Sequence, residues 1–459
     1  MKSLKLLLRF LTVGGLVLLL LIPLLMIRGT VHDRERYRAQ AEERVSQSMA
    51  GPQQLVGPLR VVPWTDTRTV AATGADGRPE TRVETTEGYL YQTPETMDVS
   101  GGMAPDTRRI GLYDVRVFQW SAQLHAGFPE LALTETEGRK YGQPYLVVGI
   151  VDVRGLVGTP KLTIDGADLA LQSGTGAMSA RMAGVHAMLP APGADAAATL
   201  PASQLQLDFA LAGTQSLGIA PVADSNRIRL HSEWPHPLFG GRFLPNDRTI
   251  DSKGFSASWE ISSLASDAQA QLGRHDGEKL TSRQKAYGGA AMEGASVTAI
   301  DSIDVSLVDP VDVYTQADRA SKYGILFVVL TFVGFALFEL IKRLPIHPLQ
   351  YLLVGLALAI FFLLLLSLSE HIEFWKAYLA SAGACIGLQA VYLSGVLKSW
   401  RRAAGFAAML TALYGVLYGL LVSENNALLM GSLLLFGILA AIMWVTRKVD
   451  WYELGSSLR

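Results

Sequence analysis

The chain has 459 residues, a formal charge of -1 and a single cysteine. Near-neutrality supplies no basic surface for nucleic acid, and one cysteine excludes both an intramolecular disulfide and a thiolate-built zinc site. The averages hide two unlike regions: long uncharged runs occupy the amino end and the part after about residue 322, whereas residues 28 to 321 have soluble composition.

Lys2, Lys5 and Arg9 precede the uncharged run Phe10 to Ile27, a basic segment before an apolar one, which is the grammar of export. The run is longer than a usual signal core, and Ile27-Arg28-Gly29-Thr30 offers no small-x-small cleavage site, so an uncleaved signal anchor over residues 1–27 is expected. Arg28 to Arg44 is rich in charge and helix formers, which predicts a helix continuing past the bilayer.

From Gln54 to about Ala265, short runs alternate apolar and polar residues, as in Tyr113 to Phe118 and Leu205 to Leu211. This period of two predicts half-buried antiparallel strands, and the continuous apolar stretch Tyr145 to Val153 predicts a strand buried on both faces. Ala75-Asp76-Gly77, Gly101-Gly102, Asp165-Gly166 and Gly213-Thr214 read as turns between strands. The expected fold is a sandwich-like antiparallel β domain over 28–321, long enough for two subdomains with a break at Ala191 to Pro201. Leu264 to Glu293 is polar and glycine-bearing and reads as a loop, after which Ser296 to Val308 resumes alternation.

His231-Ser232-Glu233-Trp234-Pro235-His236-Pro237-Leu238-Phe239 is the densest polar and aromatic cluster in this region. Two histidines and a carboxylate are metal-binding types, but their spacing matches no ligand pattern. The two prolines predict a rigid turn with Trp234 and Phe239 packed on the sandwich. A binding surface including His236 is the functional alternative.

Five further uncharged runs follow: Tyr323 to Phe338, Pro348 to Ser369, Ala377 to Leu397, Ala403 to Ser423 and Asn425 to Thr446. Each is about long enough for a helix to cross the hydrocarbon core, so with the amino anchor six transmembrane helices are expected. The loops alternate in sign, with Lys342/Arg343, Lys398/Arg401/Arg402 and Arg447/Lys448 against Glu370/Glu373 and Glu424. The positive-inside rule then predicts cytoplasmic termini, residues 28–321 on the opposite side, a helical block over 322–449 and a cytoplasmic tail over 450–459. Gly383 with Gly387, and Gly415 with Gly419, have the spacing of close helix packing.

Glu339 is the one acidic residue inside an expected span, which makes it a candidate proton or ion site. Lys342 and Arg343 follow within one turn, so an interfacial ion pair is the plainer reading. Ser369-Glu370-His371 carries catalytic residue types, yet neighbours at a helix end do not face one another, and Glu370 and His371 read as loop or cap residues. HExxH, GxSxG and Walker motifs are absent, so no enzyme, metal site or cofactor is expected.

Several long stretches resemble the CreD family of bacterial inner-membrane proteins. They include Trp234-Pro235-His236-Pro237 with Gly240 to Pro245, Gly254 to Trp259, Asp309 to Tyr314, His347 to Gly355, Leu365 to His371 and Val449 to Tyr452. The resemblance implies an inner-membrane protein with a periplasmic domain, tied to envelope integrity and to a two-component response that includes β-lactam stress. It carries over no catalytic residue. The expected role is a non-enzymatic envelope factor whose exported domain binds an envelope protein, peptidoglycan or lipid while the helices contact the bilayer. The alternative is a transporter or lipid-handling protein using the helices as a pathway, and a hydrolase built on His231, His236 or His371 is a third reading.

Overall fold

The computed structural model describes residues 2–73, 79–134, 136, 138–179, 182–190, 199–273, 280–281, 298–307, 313–342, 347–397, 399–422 and 427–447. The chain divides into two units, Ala39–Pro310 and the pairing of Met1–Arg38 with Val311–Arg459.

The first unit follows from period-two patterning. Ser225–Ser232 exposes Arg227, Arg229 and His231 while burying Asn226, Ile228 and Leu230, the alternation that a half-buried strand requires. Eight described strands form one sheet in the order Asp247–Asp251, Gly254–Ser262, Ser225–Ser232, Thr96–Ile110, Tyr113–Phe128, Ser203–Thr214, Leu156–Ile164 and Ala167–Leu169. The second sheet runs Gln172–Ser173, Gly184–Met188, Tyr145–Ile150, Gln53–Thr73, Ser216–Ile219, Ile303–Leu307 and Pro237–Gly241, with Pro79–Gln92 and Arg139–Tyr141 also paired to Gln53–Thr73. Leu55, Val61 and Val147 from one sheet and Trp120, Leu124 and Trp259 from the other share one buried cluster, so the two sheets enclose a common core. Tyr145–Ile150 is buried along its whole length, as its unbroken apolar run requires.

The sheets are mixed, which corrects the antiparallel expectation. Gln53, Gln54 and Leu55 run parallel to Leu217, Gly218 and Ile219, and Ser225–Ser232 runs parallel to the first half of Thr96–Ile110. Apolar alternation is the same for either direction, so the pattern carries no sign of it. Gly101 and Gly102 form no turn but sit within Thr96–Ile110. A Cβ on core-facing Gly101 would come within 2.5 Å of Trp120 Nε1, and one on Gly102 within 2.6 Å of His231 Nε2. The pair is small because a ring occupies the space on each side of the strand. Within the expected loop, Ala268–Gly273 is helical and sends Ala268 and Leu272 into the core.

Lys2–Ser48 is one continuous helix containing Pro23. At its carboxyl end the guanidinium of Arg154 donates to the carbonyls of Ser46 (3.0 Å) and Gln47 (2.5 Å), a cation placed where helix carbonyls lack partners. Asp152 orients that guanidinium and also accepts from the Gly51 amide, and the bond from Arg154 holds its carboxyl below the usual range.

In the helical unit, five described helices are long and apolar enough to cross a membrane: Gly14–Ser48, Val313–Ala336, Pro348–Ser369, Phe374–Val396 and Trp400–Val422. Ala427–Thr446 adds a helix of 20 residues. Pro348–Ser369 is started by its own sequence: His347 Nδ1 accepts from the Leu349 amide, Gln350 Oε1 accepts from the His347 amide, and Pro348 occupies the first turn. Its buried face carries Tyr351, Val354, Leu358, Phe361 and Leu365, and Phe361 stacks edge-on against Tyr414 at 4.7 Å. Close approach falls at Gly324, Gly334 and Gly355, which face Leu24, Met409 and Leu20. Among the described residues, nothing lies within 4 Å of a Cβ built at Gly383, Gly387 or Gly415.

The Ala75-Asp76-Gly77 turn, most of the Ala191 to Pro201 break, Asp309 to Asp312, Arg343, Lys398, Glu424 to Asn426 and the 450–459 tail lie outside the described residues.

Candidate functional site

The Trp234 segment closes on itself. Ser232 Oγ accepts from the Trp234 amide at 3.2 Å, and Trp234 Nε1 donates to the His236 carbonyl at 3.0 Å. The Arg116 guanidinium lies 4.5 Å from the Trp234 ring centroid, within cation–π range. Phe239 enters the edge strand Pro237–Gly241 and packs edge-on against Phe255 and Trp259 in the core. His236 remains exposed. The prolines thus bring Trp234 and Phe239 onto the sandwich, and the exposed His236 ring meets the Trp234 ring edge-on at 6.1 Å.

A different set of residues converges next to this turn. An open groove of about 510 Å³ lies on the eight-stranded sheet, lined by Ser100, Ser121, Gln123, Arg229, His231 and Ser256 with Gly102 in its floor. Four strands place them in register: Ser100 pairs with Arg229 and Gln123, Gly102 pairs with His231 and Ser121, and Ser256 pairs with His231. Because Gly102 has no side chain, the His231 ring lies down over the strand and leaves the hydroxyls on either side open. Arg229 is held by Asp98 at 2.8 Å. The lining therefore offers hydroxyls, an amide, an imidazole and a neutralised guanidinium, which suits a polar ligand rich in hydrogen-bonding groups. Sequence reasoning weighed His231 but missed the rest. The signal was the glycine pair inside an alternating run, which marks a close approach as readily as a turn.

In the helical unit, Glu370 is almost fully buried, with 5% of its side chain exposed. Arg34 Nε lies 3.3 Å from Glu370 Oε1, and the Tyr314 hydroxyl donates to the same oxygen at 3.5 Å. Nearby, Asp318 pairs with Lys322 at 2.5 Å and with Arg28 at 3.9 Å. Three helices are thus tied by charge at one end of the unit. His371 turns to the Ser367 carbonyl, and Ser369 Oγ donates to the Leu366 carbonyl, so the Ser369-Glu370-His371 triplet has three separate sets of partners. Glu339 lies in the helix Val313–Lys342, and its side chain is outside the described residues. Among the described residues no three His, Cys, Asp or Glu side chains are grouped to hold a metal ion.

Residues 5–452 match the family model described as Inner membrane protein CreD. The Inner membrane protein CreD of Escherichia coli (strain K12) is 35% identical over 443 residues, covering 95% of this chain and 92% of that protein. Among solved structures, an M1 zinc metallopeptidase from Deinococcus radiodurans aligns over 36% of this chain and 38% of its own, at 10% identity and a TM-score of 0.19. That likeness is too slight to bear on fold or chemistry. Family-wide coverage by one model, together with a relative of nearly the same length, leaves one assignment: the chain belongs to the CreD family of inner membrane proteins.

Proposed function

We propose that this protein is a non-enzymatic envelope factor whose β unit binds an envelope component through the groove of its eight-stranded sheet, while six membrane helices anchor it. In this reading the termini are cytoplasmic, residues 28 to 321 are periplasmic, and the protein serves the two-component envelope response that its resemblance implies. The alternating sign of the loop charges supports the orientation. The groove carries the functional reading, because the His231 ring folds into the space over Gly102 and the groove it borders is lined by serine hydroxyls and Gln123 that can hydrogen-bond a ligand.

Site-specific photocrosslinking in living cells tests it. A benzophenone amino acid in place of Ser121 or Ser256 should yield discrete adducts, whereas one in place of Leu264, 97% exposed and away from the groove, should not. Adducts of equal yield from all three positions, or none from the groove positions, would remove the groove from the function. His236 in the neighbouring turn serves as a fourth position and separates recognition by the turn from recognition by the groove.

A further inference from the structure

In a hydrocarbon surrounding, a polar side chain without a partner costs several kcal/mol. Such groups nonetheless occur in the interior of the helical unit. Helix Phe374–Val396 carries Ser381, Cys385 and Gln389 at four-residue intervals, which sets them along one side of the helix. That side faces inward, with exposures of 0%, 3% and 2%. Cys385 Sγ donates to the Ala357 carbonyl of Pro348–Ser369 at 3.1 Å and lies beside the Tyr414 hydroxyl of Trp400–Val422. One turn before Ser381, Tyr378 donates its hydroxyl to the Tyr414 carbonyl at 2.6 Å.

The other polar groups along this track are unsatisfied. Among the described residues, Ser381 Oγ and both amide atoms of Gln389 have no hydrogen-bond partner, and the Tyr414 hydroxyl has none of good geometry. Hydroxyls in helices usually bond a carbonyl one turn back. Thr331, Ser369 and Ser394 do so, to Phe327, Leu366 and Val391 respectively. Ser381 does not among the described residues, so its buried hydroxyl remains available to a partner outside its own helix. From Ser381 to Gln389 the track covers about 12 Å at 1.5 Å per residue, in the middle third of a 23-residue helix.

We propose that Ser381, Gln389 and Tyr414 form an internal water site between helices Pro348–Ser369, Phe374–Val396 and Trp400–Val422. Water fits because the track offers both donors and acceptors and, among its described residues, no charge. A buried water takes about two to four polar partners, and because Ser381 and Gln389 lie about 12 Å apart along the helix, the site holds more than one water, with Tyr414 of the neighbouring helix facing Cys385 between them. The proposal stands on the helical unit alone and does not depend on the groove.

Hydroxyl-radical footprinting of the full-length chain in lipid nanodiscs, with the radicals generated in ¹⁸O-labelled water, tests it. Tyr414 and Tyr351 are the same side chain at the same 2% exposure, and Tyr351 lies in the first turn of its helix whereas Tyr414 lies well inside Trp400–Val422, so access from bulk solvent predicts labelling at Tyr414 no faster than at Tyr351. Internal water predicts several-fold faster ¹⁸O incorporation at Tyr414, and loss of that excess in the Ser381→Ala/Gln389→Leu variant. The variant should also unfold at a lower temperature, because removing polar groups that hold water loses their bonds, whereas removing merely unpaired groups stabilises. Labelling at Tyr414 no faster than at Tyr351 in the natural chain, an excess that survives in the variant, or a raised unfolding temperature would each overturn the proposal. If the variant does not fold, the comparison of tyrosines in the natural chain still decides.

Discussion

The two units differ in what they expose, although both bury polar side chains, among them Gln54 and Arg60 in the β unit. In the β unit, the largest buried side chains are Trp120, Trp259 and Phe118, and the outer face of the eight-stranded sheet shows Arg229, His231, Ser121 and Gln123. In the helical unit, Leu353, Ile360, Leu363, Leu379 and Leu388 are exposed, while Ser381 and Gln389 are buried. A single chain therefore follows two solvation rules. The β unit is held by transfer of apolar surface out of water, and the helical unit by packing, hydrogen bonds and charge pairs, because lipid tails compete equally for its leucines.

The largest effect expected from this contrast is in the β core. Trp259 is fully buried, supports Phe239 and donates Nε1 to the Phe243 carbonyl at 3.2 Å. Trp259→Ala should cost about 3–5 kcal/mol, read by chemical denaturation of the full chain with a probe in the β unit. The matched change Phe361→Ala, also at a fully buried ring, should cost less in a bilayer, since its hydrophobic neighbours lose packing but no transfer from water. Equal losses would break the comparison.

Next comes the ion pair that the helical unit buries. Glu370→Leu removes the acceptor shared by Arg34 and Tyr314. Because 37% of the Arg34 side chain is exposed, solvent screens the pair, and a loss of about 1 kcal/mol is expected in place of the larger cost of a fully enclosed pair. A double-mutant cycle with Arg34→Leu, followed by thermal unfolding in nanodiscs, measures the coupling. Strict additivity of the two substitutions would show that the contact holds nothing together.

The same contrast explains what was legible from sequence. Spans such as Pro348 to Ser369 were legible because lipid tolerates so few residue types, and strands such as Ser203–Thr214 because one face meets water and the other does not. Direction was illegible: the parallel partner of Ser225–Ser232 lies more than a hundred residues earlier, and alternation is blind to it. Gly101 and Gly102 resembled a turn because glycine serves close approach and chain reversal alike. The Arg34–Glu370 pair joins residues from opposite ends of the chain, and no local pattern marks such a contact. Ser381 and Gln389 were hidden by the apolar average of their span, although their four-residue interval was the available signal.

The smallest expected effect comes from one of the polar side chains that the β unit buries. Asp304 is a buried carboxyl in the strand Ile303–Leu307, facing Gly218 and Gly241, with Ser302 Oγ donating to it at 3.3 Å. Burial raises its pKa above the ordinary value, and the Ser302 bond only partly opposes that rise. A raised folded-state value means that the neutral acid is the form the fold prefers. The associated stabilisation is complete below the unfolded-state value, about 3.9, and is lost as pH climbs through the folded-state value. Asp304→Asn keeps a neutral acceptor for Ser302 at every pH. Its unfolding temperature should therefore match that of the natural chain in acid and exceed it slightly at neutral pH. Parallel pH profiles for the two proteins would mean that the Asp304 charge is tolerated in the β core at no cost, and that the two units differ less in how they treat buried polarity than their residues imply.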